Sequence, residues 1–153
     1  MDDRALRWVL QMCADGINPA LLFSVLSEIP FALSSATPQT RHAALGRAVR
    51  FCIAGCVAIA VPVVLAELGK KHEVWNGHPG FPSGHATFAA SASAVIIAYR
   101  GRHWLLLCTP VTAAMLYSLV YLGHHEMPEV IGGLMLGVGL GTLITRVLTK
   151  PGP

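Results

Sequence analysis

Three short polar clusters interrupt an otherwise apolar chain, and their residue types are those of anion binding and proton transfer. Pro82-Ser83-Gly84-His85 opens an uncharged, helix-compatible run from Ala86 to Tyr99. A serine at an N-cap beside a glycine turns a hydroxyl and backbone N–H groups toward whatever lies beyond the helix end, which suits an anion such as phosphate. His85 sits one residue into that turn, where an imidazole can give or take a proton near neutral pH. The other two clusters, Lys71 to Pro79 and His124 to Glu129, also fall at the ends of apolar runs. Clusters repeated at helix ends point to one shared site.

The elements that must position them are membrane helices. Of the 153 residues, 54% are hydrophobic and only 12% charged, roughly half the charged fraction of an average soluble domain. A soluble fold of this length could not hide so much apolar surface. The expected class is all-α, a polytopic membrane helix bundle of about five transmembrane helices with an N-terminal amphipathic helix, in one domain over residues 1–153. The amphipathic opening runs from about Asp3 to Ala14, with Leu6, Val9, Leu10 and Cys13 at helical spacing. The spans are expected at about Ile17–Ser35, Ala48–Leu68, Gly84–Tyr99, Trp104–Leu122 and Pro128–Leu148. Glu28 and Pro30 interrupt the first, and an ionisable group at that depth needs a protein partner. Gly133 and Gly137 in the last have the spacing that lets two helices approach closely.

Loop charges orient the chain. Arg41, Arg47, Arg50, Arg100, Arg102, Arg146 and Lys150 fall on one side and Arg4, Arg7, Lys70 and Lys71 on the other, so the positive-inside rule places the first set in the cytoplasm and the polar clusters outside. The expected location is a cell membrane, multi-pass, with the site on the extracytoplasmic face. No cleavable signal peptide is evident, because Gln11, Asp15 and Asn18 interrupt the stretch after Arg4 and Arg7. The net charge of +3 is spread out, with no basic stripe interleaved with aromatics, so no nucleic acid is expected as a partner. Cys13, Cys52, Cys56 and Cys108 lie in apolar runs without paired metal-ligand spacing and read as packing residues.

The clusters together resemble the type 2 phosphatidic acid phosphatase family, lipid phosphatases related to vanadium haloperoxidases. That family's pattern is lysine, six residues, Arg-Pro; then Pro-Ser-Gly-His; then Ser-Arg, five residues, histidine, three residues, aspartate. Here Lys71 is followed after six residues by His78-Pro79, Pro82 to His85 match in full, and Ser118-Leu119 is followed after five residues by His125 and after three more by Glu129. Tyr121-Leu122-Gly123, Pro128, Val130 and Gly132-Gly133 are also similar to that family. His78 and Leu119 stand where the family has arginines, and Glu129 where it has aspartate. Arginine offers a permanently charged fork for phosphate, histidine a titrating ring and leucine nothing.

The resemblance implies a two-step phosphoryl transfer that needs no cofactor and no metal. His125 would attack phosphorus to give a phosphohistidine, Glu129 would hold its imidazole in the nucleophilic tautomer, and His85 would protonate the leaving oxygen and then activate water. Lys71, His78, Ser83 and Gly84 would bind the transferred group. The implied partners are a lipid phosphate, either a polyprenyl phosphate or diphosphate or a glycerophospholipid phosphate, and membrane lipids; a homo-oligomer is compatible with the sequence. His72, His124 and Glu126 read as loop residues, with His124 the candidate to supply the charge missing at Leu119, and Ser118 as a helix-packing hydroxyl. The alternative, from the loss of both arginines, is a phosphatase-like membrane protein that binds an anionic lipid or a partner without turnover.

Overall fold

A computed structural model describes residues 3–74 and 78–149. Lys150, counted above among the loop charges, and residues 75–77 of the first polar cluster lie outside the described residues. Within them the chain is all-α: α1 (Asp3–Leu26), α2 (Glu28–Ser35), α3 (Arg41–Lys71), α4 (Gly84–Arg100), α5 (Leu105–Tyr121, entered through a 3-10 turn at Arg102–Trp104) and α6 (Met127–Thr149).

Among the described residues, four stretches are long and apolar enough to cross a membrane: Asp3–Ser35, Arg41–Lys71, Arg102–Tyr121 and Met127–Thr149. The remaining helix, α4, has 17 residues, fewer than the roughly 20 that span a bilayer core. It runs through the middle of the bundle, where its neighbours shield it from lipid. Its residues from Ala89 to Ile96 are all buried, and they are mostly alanine and serine, small enough to let several helices close in.

The expected amphipathic opening is not a separate element. Helix α1 continues from Asp3 through Gly16 and Pro19 to Leu26, and the Ser27 N–H still donates to the Phe23 carbonyl oxygen at 2.8 Å, so α2 follows almost without a break. The physical reason is a buried face that spans the expected boundary: Leu10, Ala14, Leu21 and Val25 recur at helical intervals and pack inward. Pro19 removes one helical hydrogen bond without ending the helix.

The tightest interface joins α4 to α6. A Cβ added at Gly133 would lie 2.6 Å from the Ser83 carbonyl oxygen, at Gly137 2.7 Å from the Ala90 Cβ, and at Gly141 3.0 Å from the Ser91 Cα. These glycines, four residues apart, form a groove into which the small side chains of α4 settle, and Ser91 Oγ reaches the Gly137 carbonyl oxygen at 3.3 Å across it. The small-residue stripe of α6 is therefore spent inside the bundle. Ser93 and Thr112 share a hydrogen bond of 2.8 Å between α4 and α5.

At the end of the bundle where α4 finishes, Glu28 finds the partner its depth demands. Arg100 Nε donates to Glu28 Oε1 at 2.6 Å, a second guanidinium nitrogen bonds the same oxygen, and the Ser24 carbonyl oxygen accepts at 3.2 Å. The guanidinium also lies over the Trp104 ring, 4.7 Å from its centre. All three polar clusters gather at the opposite end.

Candidate active site

The turn before α4 is docked onto the first turn of α6. Ser83 is wholly buried. Its N–H donates to the Glu129 carbonyl oxygen at 2.9 Å and its hydroxyl accepts from the Ala86 N–H at 3.3 Å, as an N-cap does. The Phe81–Pro82 peptide is cis. Ser83 was expected to offer both groups to an anion; here both are committed to holding the turn together, and Gly84 is left as the backbone facing the cleft. A Cβ at Gly84 would meet the end of the exposed Glu67 side chain and lie 3.9 Å from Lys70 Nζ.

His125 is delivered by the end of α5. Gly123 adopts φ of 73°, its N–H donates to the Val120 carbonyl oxygen, and the His124 N–H donates to that of Leu119. This is a Schellman stop, which turns the chain sharply and leaves His125 on the inner side. Helix α6 then begins at Met127, with Pro128 in its first turn. Glu129 Oε2 accepts the Glu126 N–H at 3.1 Å, the return half of a capping box. The same oxygen lies 2.6 Å from His125 Nδ1. A carboxylate only accepts, so Nδ1 carries a proton, and in the neutral ring this leaves the lone pair on Nε2. Glu129 thus ties the imidazole to the helix start and fixes its tautomer.

The Glu129 side chain is 8% exposed and its other oxygen, Oε1, lies 3.4 Å from His78 Nδ1. The His78 side chain itself is 45% exposed, so it bridges the buried carboxylate to the surface. Gly80 packs directly against the carboxyl group, since an added Cβ would overlap both Oε1 and Cδ. The departures His78 and Glu129 therefore stand in contact.

A cleft of about 480 Å³ is lined by Asn18 of α1, Val63, Glu67 and Lys70 of α3, Gly84, His85 and Phe88 of α4, and His125. The His85 and His125 ring centres are 6.3 Å apart, a gap that a phosphoryl group can occupy with an imidazole on either side. Lys70 faces this cleft, paired with Glu67 at 2.8 Å, whereas Lys71 is exposed at the end of α3. The Glu67 carboxylate, held by Lys70 against Gly84, sits where an anion bound at the start of α4 would sit.

The remaining candidates separate from the cleft. Leu119 is 2% exposed and belongs to the apolar core. Ser118 is buried with its hydroxyl donating to the Ala114 carbonyl oxygen at 2.7 Å, as a packing hydroxyl does. His124 turns to α1, 3.4 Å from Gln11 Oε1, and His72 caps α3 in an exposed position. Lys70 and Asn18 are the residues the motif register did not single out. Lys70 was adjacent to the chosen position, and the contacts that turn it inward are between helices.

Comparison with known proteins gives a family match. The family model described as PAP2 superfamily covers residues 44–152, well over half the chain. Neither a curated protein nor a solved structure matches it.

Proposed function

Because the chain belongs to the PAP2 superfamily, whose members are phosphatase-type hydrolases, we propose that it is an integral membrane lipid-phosphate phosphatase acting through a phosphohistidine. The observation that carries this reading is the His125–Glu129 pair, 2.6 Å apart, whose histidine lines one cleft with His85 and a lysine. In the first step His125 Nε2 attacks phosphorus while His85 gives its proton to the leaving alkoxide or phosphate oxygen. Glu129 keeps Nδ1 protonated and stabilises the positive charge that builds on the ring. In the second step His85 takes a proton from water, which displaces the phosphoryl group from His125. When the phosphoryl group takes the place of the exposed Glu67 carboxylate, Lys70, the Gly84 backbone and the start of α4 balance its charge, with His78 and Lys71 farther out.

A lipid substrate is supported by the walls of the cleft. Val63 and Phe88 lie beside Lys70 and His85, so one side suits a hydrocarbon chain and the other a phosphate. Polyprenyl phosphates or diphosphates and glycerophospholipid phosphates both have this form. The positive-inside balance supports an outward-facing site in a cell membrane. The test is phosphate release from a panel of such lipids by the purified full chain. Release that is lost in His125→Ala supports the enzyme; equal release from wild type and His125→Ala refutes it.

Leu119 favours a second reading, in which an anionic lipid is bound without turnover. Its side chain sits in the apolar core, so the position of the family's second arginine carries no charge. Saturable lipid binding with no phosphoenzyme would select this reading.

A further inference from the structure

Among the described residues, Glu67 is the one acidic side chain lining the cleft that holds Lys70, His85 and His125, and neither chemical step above uses it. Its Oε1 lies 2.8 Å from Lys70 Nζ on the same helix, and a Cβ added at Gly84 on the neighbouring helix would come within 2.5 Å of that oxygen. Gly84 is the first residue of α4, the helix end where N–H groups lack intrahelical partners and a negative charge is favoured. Glu67 therefore occupies the cation and the helix end that a phosphate needs. The Lys70 side chain is 18% exposed and that of Glu67 57%, so packing confines the lysine while the carboxylate can swing into solvent. The carboxylate is the partner that can leave.

We propose that Glu67 is a built-in competitor for the phosphate site, setting how tightly the site holds phosphate and helping to expel the product; the inference rests on the phosphatase reading above. A carboxylate tethered to α3 is present at a fixed, high effective concentration, so an anion that binds Lys70 and Gly84 must first displace it. Apparent affinity falls with the fraction of time that the site stands open. An exposed ion pair of this kind shifts such an equilibrium about two- to fivefold. The displaced side chain stays on the same turn of α3, where its charge repels a phosphate dianion and adds to the effect. Lipid phosphate and inorganic phosphate are both weakened, since they present the same group to the same partners. A lipid also has a hydrocarbon chain to place beside Val63 and Phe88, and Glu67 does not oppose that part of its binding. Inorganic phosphate has no such chain, so after the second step the carboxylate returns to Lys70 and the product leaves.

The experiment titrates the full chain in detergent with inorganic phosphate at constant ionic strength and reads the dissociation constant from the rise in unfolding temperature. Glu67→Gln keeps the side chain's size and removes its charge. Glu73→Gln makes the same change of net charge at an exposed position outside the cleft. The Glu67 variant is expected to bind phosphate about three- to tenfold more tightly than wild type, the ion-pair factor enlarged by the lost repulsion, and to lower KM for a lipid phosphate in the same direction. The Glu73 variant is expected to match wild type in both. Unchanged phosphate affinity in Glu67→Gln overturns the proposal, and weaker affinity overturns it by showing that the carboxylate positions Lys70 instead of competing for it. Equal tightening in the two variants reduces the effect to overall charge and also overturns it, as does a failure of phosphate to bind either wild type or Glu67→Gln. Tighter phosphate binding in Glu67→Gln with no release of phosphate from any lipid refutes the phosphatase reading and leaves the internal anion standing. Release that depends on His125, with equal phosphate affinity in wild type and Glu67→Gln, refutes this inference alone.

Discussion

Replacing Gly80 by alanine tests the catalytic pair without removing any group that could do chemistry. An added Cβ would overlap Oε1 and Cδ of Glu129 and come within 2.8 Å of Oε2. The loop has little freedom to retreat, since the Ser83 N–H anchors it to the Glu129 backbone at 2.9 Å. The buried side chain must therefore move, and its bond to His125 is what it gives up. A hydrogen bond to a charged group is worth about 1.5–3 kcal/mol, so kcat should fall about 10- to 100-fold, with KM changed little because Lys70 and Gly84 are untouched. Glu129→Asp shortens the side chain by one methylene and withdraws the carboxyl from the new methyl. Added to Gly80→Ala, that second change should recover activity, giving a coupling of about 1 kcal/mol or more in a double-mutant cycle. The assay is steady-state phosphate release from a lipid phosphate in detergent, with thermal unfolding as the control for stability. A Gly80→Ala enzyme within twofold of wild-type kcat, or losses that simply add in the double variant, would refute the role assigned to the pair.

The two lysines should separate cleanly: Lys70→Met is expected to lower kcat/KM about 10- to 100-fold, as loss of a charge-assisted contact would, while Lys71→Met changes it little, which the same assay reads. Ser83→Ala should cost about 1 kcal/mol of stability through loss of the helix cap, seen as a lower unfolding temperature, and should spare kcat because the hydroxyl does not face the cleft. Gly137→Leu is expected to abolish folding by driving α4 and α6 apart, whereas Gly139→Leu, whose Cβ would meet nothing within 4 Å, should leave yield and monodispersity on size exclusion unchanged.

Much of this molecule is local and hence written along the chain. The lengths of the apolar runs specify the helices, the Ser83 cap starts α4, and Gly123 stops α5; each depends on residues a few positions apart. Because every polar cluster marks a helix end, the run lengths alone bring the clusters to one end of the bundle. The order and spacing of Lys71, Pro82 to His85, and His125 to Glu129 likewise identify the PAP2 superfamily without any coordinates. The continuity of α1 was not legible, since Gly16, Asn18 and Pro19 resemble a boundary locally and only the packing of Leu21 and Val25 in the core holds the helix through them.

Which atoms face the cleft is a matter of packing alone. Consecutive helix residues point about 100° apart, so whether Lys70 or Lys71 reaches the site depends on how α3 is rotated against its neighbours, and no spacing rule carries that. Glu28 meets Arg100 72 residues away, and Gly80 must be bare because a carboxyl from α6 occupies its space. A membrane bundle and a phosphatase family could be read along the chain, because composition, run length and motif register are one-dimensional. The contacts that orient His125, commit Ser83 to the turn and set Asn18 beside His85 are between distant segments, and they exist only once the helices have packed.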